Sequence, residues 1–321
     1  MSIPVSPGYR TEDRSGEQTE TGMDARQLEY FLAVVDNGGF NRAAAALHLA
    51  QPSLSQAIRN LERDLGGMLF HRIGRRVVLT EAGHALIEPA RQVVRSLEVA
   101  RASVDSVHAI RTGRVDIAAM PSQAVEPLSS MVSRFSERHP GVRLTVRAAP
   151  WPRTVMEMVR TGVTELGLLA AMDPPAAADL TVHPIEKHRF VLVARPDGPF
   201  PPGRPVTGDL LAGQRLIAGQ KGTGMRQVIE DLRAQGVDLT IAVETEHREA
   251  ILPLVLKGVG VAVLTEAWTP LAERAGALVL DLIPPSYLHV ALVSRKARLT
   301  PAASEFLAIA LAPAAIDSRS L

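Results

Sequence analysis

From Leu86 to Val107 the apolar residues Leu86, Ala90, Val93, Leu97, Ala100, Val104 and Val107 recur at steps of 4, 3, 4, 3, 4 and 3. A heptad seam of this kind requires a long helix and something to cover the stripe. At ~1.5 Å per residue, residues 80–110 predict a rod of about 45 Å, with Pro89 inside it as a site for a kink. Such a rod does not fold into one globule, so it divides the chain. Before it the apolar period is helical. After Thr112-Gly113, which reads as a hinge, short β-prone runs alternate with helices. With 321 residues the chain has room for a domain on either side.

Residues 1–22 are polar, with two Arg against Glu12, Asp13, Glu17 and Glu20, and predict a disordered extension. Met23, just before the ordered pattern, is a candidate start of the functional chain. Leu28, Phe31, Leu32 and Val35 share one helical face, which Asp36-Asn37-Gly38-Gly39 ends. A small Ala-dense helix follows over Asn41 to His48, then a turn, Leu49-Ala50-Gln51. A third helix opens with Pro52 in its first turn and runs to about Leu65, with Leu54, Ile58, Leu61 and Leu65 on one face. Two β-prone pieces, residues 68–72 and 77–79, flank a Gly and Arg tip and predict a hairpin, a wing. Thr80 is placed to cap the long helix, with Glu81 in its first turn.

Beyond the hinge, Val115–Met120, Arg143–Arg147, Glu165–Ala170, Phe190–Ala194, Arg215–Ala218, Thr240–Val243, Val259–Leu264, Leu278–Leu282 and Leu288–Val293 read as strands. Helical stretches lie at 124–139, 153–161, 223–235, 247–257 and 301–312. This alternation predicts an α/β domain with mostly parallel sheets, long enough for two lobes.

Composition narrows the chemistry. The chain has no cysteine, which excludes disulfides, thiolate catalysis and Cys-based zinc sites. No apolar run is long enough to span a membrane, and the N-terminus lacks the layout of a signal peptide; both favour a cytoplasmic protein. Net charge is +1, so any nucleic-acid face must be local. The Gly219-Gln220-Lys221-Gly222-Thr223-Gly224 run lacks the order of a phosphate loop or dinucleotide fingerprint, and His247 and Glu249 lack zinc-protease spacing. There is no serine nucleophile elbow. No catalytic, metal or cofactor site is therefore expected, and neither an enzyme nor a periplasmic solute-binding protein fits.

The local face exists. Opposite the Leu54 stripe, Gln56, Arg59, Asn60 and Arg63 cluster, with Gln51, Pro52, Ser53 and Ser55 near the helix start. Between residues 59 and 76, Arg59, Arg63, Arg72, Arg75 and Arg76 face only Glu62 and Asp64, a net charge of +3. Polar side chains at the start of such a helix suit base edges, and arginines on a wing suit phosphates.

These residues carry a family resemblance. Ala25-Arg26-Gln27-Leu28-Glu29-Tyr30-Phe31, Gly39-Phe40-Asn41-Arg42-Ala43-Ala44, Ala50-Gln51-Pro52-Ser53-Leu54-Ser55-Gln56-Ala57-Ile58 and Leu79-Thr80-Glu81-Ala82-Gly83 resemble the N-terminal domain of LysR-type transcriptional regulators. Asn41 stands where Ser or Thr is common, and His71 where an acid is common. Weaker echoes are residues 135–142 and 255–262. The resemblance implies a fold of class α plus α/β: a winged helix-turn-helix over 23–80, a dimerising linker helix and hinge over 81–112, and a two-lobed effector domain over 113–312 similar to periplasmic binding proteins. Lobe I would take 113–185 and 289–312, lobe II 186–288, with a tail at 313–321. It also implies double-stranded DNA with an interrupted palindrome as partner, a homodimer extending to a homotetramer, RNA polymerase as a further partner, and a small-molecule effector between the lobes. Ligands of α/β folds gather at the carboxyl ends of strands. Ser122, Gln123, Trp151, Thr154, Lys221, Thr223, Glu244 and Thr265 occupy such loops, and their donors outnumber acids, so a small anion is expected.

Overall fold

The structure is a computed structural model that describes residues 22–73, 76–105 and 112–312. The expectations for residues 1–21, the wing tip at 74–75, the hinge approach at 106–111 and the tail at 313–321 lie outside those residues. The chain divides between Val94 and Arg95 into two compact units.

The first unit opens with α1 (Ala25–Asn37), held by a capping box in which Gln27 N donates to Asp24 Oδ1 at 2.7 Å and Asp24 N to Gln27 Oε1 at 2.9 Å. Gly38 ends it at φ +64°, a left-handed conformation natural to glycine. Next come α2 (Phe40–Ala46) and α3 (Gln51–Leu65), then the antiparallel hairpin of β1 (Phe70–Ile73) and β2 (Arg76–Leu79), then α4 (Glu81–Asp105), which runs past the division. Leu28, Phe31, Leu54, Ile58, Leu61, Phe70 and Ala90 form one buried core. Thr80 caps α4 as its sequence position suggested: its hydroxyl accepts from Gly83 N at 2.9 Å and donates to Met68 O at 2.7 Å.

The linker seam is split in use. Leu86 is half-buried against the core and Ala90 is fully buried in it, whereas Val93, Leu97 and Ala100 face solvent. The predicted rod thus begins as part of the first unit and becomes an open stripe only beyond Ala90. Val104 has a helical backbone, and Val107 lies outside the described residues.

The second unit contains, in order, β3 (Gly113–Ala119), α5 (Pro121–Val125), α6 (Leu128–Arg138), β4 (Val142–Ala148), α7 (Pro152–Arg160), β5 (Leu166–Ala171) and β6 (Leu180–Ala194). It continues with β7 (Val206–Thr207), α8 (Gly208–Leu211), β8 (Arg215–Gly219), α9 (Gly224–Ala234), β9 (Thr240–Thr245), a 3-10 turn at Arg248–Ala250, and α10 (Ile251–Leu256). Finally come β10 (Val261–Thr265), α11 (Thr269–Arg274), β11 (Leu278–Ile283), β12 (Tyr287–Arg295) and α12 (Pro301–Leu311). The strands run in the order β4-β3-β5-β12-β6-β10-β8-β9, with β11 against β6 and β7.

The outer strands are parallel, as their alternation with helices demands: β3 with β4 and β5, β8 with β9 and β10. The centre is antiparallel, so the sheet is mixed rather than mostly parallel. The reason is β6. The sequence reading begins this strand at Phe190; the structure begins it at Leu180. Residues 180–189 pair with β12, and residues 190–194 pair with β10 and β11. One strand therefore serves two half-sheets. Pro184 is tolerated within it at an irregularity of register opposite Val290/Ala291. The chain crosses back before β12, where Phe190 N donates to Ser286 O at 2.9 Å.

Gly83 sits in the first turns of α4, where alanine would improve helix propensity by about 1 kcal/mol. A Cβ there, however, would stand 2.2 Å from the Leu69 carbonyl oxygen and 2.8 Å from Leu79 Cδ2. Backbone on one side and core on the other leave nowhere to move. Gly83→Ala is expected to lower the stability of the first unit by roughly 1–3 kcal/mol, as overpacking does. Chemical denaturation followed by circular dichroism measures it; unchanged or raised stability contradicts the close packing of α4 on the hairpin.

Candidate functional site

The sequence-predicted DNA-facing residues from Gln51 to Arg63 lie on α3. Its apolar face is spent on the core. The helix is tied to the hairpin base by Glu62, whose carboxylate accepts from Leu69 N at 2.8 Å and Phe70 N at 3.3 Å. That acid is therefore engaged with backbone. On the open face Arg59 Nη2 donates to Gln56 Oε1 at 2.6 Å, while Gln56 Nε2 and Arg63 Nη2 both donate to Asn60 Oδ1, at 3.0 and 3.1 Å. Gln56, Arg59 and Arg63 are exposed, and among the described residues neither arginine has a carboxylate partner. An exposed amide and two guanidinium groups that no carboxylate neutralises share one helix face, a donor and acceptor set that suits the edges of bases and the phosphates beside them.

Not every sequence candidate faces outward. Pro52 and Ser53 are exposed at the helix start, but Ser55 is only 5% exposed and its hydroxyl accepts from Gln51 Nε2 at 2.8 Å. Gln51 and Ser55 hold the first turn of α3 to itself. Arg72 and Arg76 stand on β1 and β2; Arg75 lies outside the described residues.

In the second unit a cavity of about 150 Å³ opens where the strand ends of both half-sheets meet. From the β3 half it is lined by Ser122 and Gln123 of α5 and by Trp151, the N-cap of α7; from the other half by Thr223, the N-cap of α9, by Thr265 at the end of β10, and by Arg248. The remaining wall is mostly apolar, chiefly Met120, Met172, Phe190, Met225 and Leu288, with Gln227, whose Nε2 donates to Asp231, as the other polar side chain. Five of the eight sequence candidates thus converge. Three do not. Thr154 lies one turn along α7 from the lining, Lys221 is exposed beside it, and Glu244 is exposed and ion-paired with Arg226.

Arg248 was not a sequence candidate. It stands in the acid-rich run Glu244-Thr245-Glu246-His247-Arg248-Glu249, which reads as a solvated surface. Only its place after a strand hinted at the cavity. In the fold it is 9% exposed, and its Nη1 donates to Ser122 Oγ at 2.9 Å, bridging elements of the two half-sheets. Burial pushes its guanidinium below its usual range. Arg226 is buried to a similar extent, 6% exposed, but has Glu230 and Glu244 beside it; these outweigh its own burial and raise it. Among the described residues no carboxylate pairs with Arg248. Around it the Gln123 amide, at both Nε2 and Oε1, and the Thr265 hydroxyl are buried without hydrogen-bond partners. Orphaned polar groups at this density are rare in a finished interior.

Comparison with known proteins places both halves. Residues 25–84 match the model of bacterial regulatory helix-turn-helix proteins of the lysR family, and residues 108–314 match the LysR substrate binding domain. The chain belongs to the LysR family of transcriptional regulators, with a DNA-binding helix-turn-helix and an effector-binding domain. Among curated relatives it is 29% identical to the RuBisCO operon transcriptional regulator of Allochromatium vinosum, over 91% of this chain and 97% of that one. It is 31% identical to the HTH-type transcriptional regulator TfdS of Cupriavidus pinatubonensis, over 75% and 82%. In fold it is similar to a full-length OxyR variant from Pseudomonas aeruginosa (TM-score 0.71, 22% identity, 90% and 94% covered). It is also similar to full-length CbnR complexed with its target DNA (TM-score 0.61, 22% identity, 90% and 99% covered). Among the described residues no helix is long and apolar enough to cross a membrane.

Gln56→Ala is expected to relax operator specificity at one position, costing about 1–3 kcal/mol against the preferred base. Arg72→Ala is expected to weaken binding evenly across sequences and reduce the salt slope by about 1. Footprinting and salt titration of both variants on one operator decide it; parent-like binding by both excludes this face.

Proposed function

We propose that this regulator is a cytoplasmic, non-enzymatic switch whose effector is a small anion held at Arg248. One observation carries the reading: a buried guanidinium without a carboxylate, ringed by the unpaired Gln123 amide and Thr265 hydroxyl. An anion entering there meets donors already in place and supplies the charge that the fold withholds. The lining offers no carboxylate or imidazole to move a proton, which favours binding over catalysis.

The mechanism follows from the crossover. Ser122 and Arg248 come from opposite half-sheets joined by β6 and by the return into β12. A ligand that takes over donors from both sides favours one lobe angle, and can shift that equilibrium only by its differential affinity for the two states. Val93 and Leu97, exposed at 42% and 37% on α4, continue a heptad seam and suit pairing with a second copy. Two copies present two reading helices to an interrupted palindrome, and lobe angle sets their separation. Assembly into a tetramer and contact with RNA polymerase complete the proposal.

Arg248→Gln and Ser122→Ala are expected to weaken the effector response by roughly ten- to a hundredfold, the range for a hydrogen bond to a charged group. Operator affinity without effector stays near that of the parent. Fluorescence anisotropy on a labelled operator, with effectors drawn from a thermal-shift metabolite screen, measures both. A parent-like response in both variants refutes the site. Separately, Leu97→Glu puts like charges into the seam and is expected to give monomers with poor operator affinity. Sedimentation velocity reads this directly, and an intact dimer places the interface elsewhere.

A further inference from the structure

The orphaned groups of the cavity do not all ask for the same thing. This inference rests on the anion reading above and deepens it. The Arg248 guanidinium offers only donors, and the Ser122 and Thr265 hydroxyls adapt, so carboxylate oxygens answer all three. Gln123 is different. Its Nε2 and Oε1 are both buried and unpaired, and the residue is 1% exposed. The Nε2 can donate to an acid, but the Oε1 needs a donor, which a carboxylate lacks at neutral pH. Charge sets a second limit. Arg248 is the one cationic side chain in the lining, and Lys221 lies outside it, so a second anionic group would be buried unpaired. Shape sets the third. Met120, Met172, Phe190, Met225, Leu288 and Trp151 form an apolar wall, and a cavity of about 150 Å³ is the size that accepts a single benzene ring in an apolar protein interior.

We propose that the effector is a hydroxylated monocarboxylate with an apolar body about the size of one six-membered ring, its acid on Arg248 and its hydroxyl donating to Gln123 Oε1. The acid supplies recognition shared by any small monoanion. The hydroxyl supplies selectivity, because a site built to hydrogen-bond a hydroxyl leaves its own buried acceptor unmet when the analogue lacks it.

The test is calorimetric titration of the full-length protein with benzoate, its three monohydroxy derivatives, phthalate and benzyl alcohol. At least one hydroxybenzoate is expected to bind tenfold or more tighter than benzoate, and phthalate and benzyl alcohol tenfold or more weaker than that hydroxybenzoate. Gln123→Leu is expected to remove the preference, so that the favoured hydroxybenzoate binds this variant within threefold of benzoate measured on the same variant. The ranking on the parent protein stands without the variant, should the variant fold poorly. Equal binding of benzoate and every hydroxybenzoate, tighter binding of phthalate, or no binding by any probe overturns the hydroxylated monocarboxylate. Tightest binding by benzyl alcohol, or undiminished binding of the carboxylates to Arg248→Gln, overturns the anion reading itself.

Discussion

The pairing of β6 with β12 is the contact on which the second unit depends. Their register runs from Tyr287↔Arg189 to Arg295↔Leu180, and it joins segments that lie about a hundred residues apart in the chain. Because β6 does not stop where β12 ends, its last five residues are free to build a second half-sheet with β10 and β11. Two half-sheets thus share a continuous backbone, which passes between them at Arg189–Phe190 and returns through Ser286. The loops that carry Ser122, Gln123, Thr223, Thr265 and Arg248 open along that line. A cavity at this place is a consequence of the strand changing partners, in the same sense that open α/β sheets place ligands where strand order reverses.

Electrostatics separates structure from readiness within the same unit. Arg226 and Arg248 are both buried, yet one is neutralised by two glutamates and the other by none. Burying an unpaired cation is unfavourable. The fold holds Arg248 by one hydrogen bond to a neutral hydroxyl and leaves the charge unanswered, which is the condition an anion resolves. Gln123 and Thr265 add neutral groups with the same unmet demand. The cavity thus combines an unpaired charge, unpaired donors and a volume of about 150 Å³.

In the first unit the same economy of partners fixes α3 against the hairpin and α4. Glu62 has its carboxylate on two backbone amides of the hairpin base, Thr80 bridges Met68 and Gly83, and Gly83 lies against the Leu69 carbonyl. The hairpin and α4 are thus clamped to α3, while among the described residues no acid pairs with Gln56, Arg59 or Arg63. Asn60 holds two of them in a row across one helix face.

What the sequence determined by itself was whatever short-range periodicity controls. The helices of the first unit, the Thr80 cap and strands at all nine expected places follow from apolar spacing and turn residues, and the strand-end loops picked out Ser122, Gln123, Trp151, Thr223 and Thr265, which line one cavity. Local pattern does not set the direction of a side chain, so Thr154, Lys221 and Glu244 carried the same signature and were drawn away, the last by Arg226. Nor does it separate seam from core: Ala90 belongs to the heptad and is buried in the first unit, while Leu97, two seam steps on, is open. The first ten residues of β6, with His183, Pro184, Glu186 and Lys187 among them, show no alternation and become a strand because β12 supplies the hydrogen bonds. Arg248 reads as surface charge in the chain and is buried because it meets Ser122, 126 residues away. Spacing within one element is written in neighbouring residues. Which distant groups are buried together is settled by long-range strand pairing, and in this protein the cavity lined by Ser122 and Arg248 depends on that pairing.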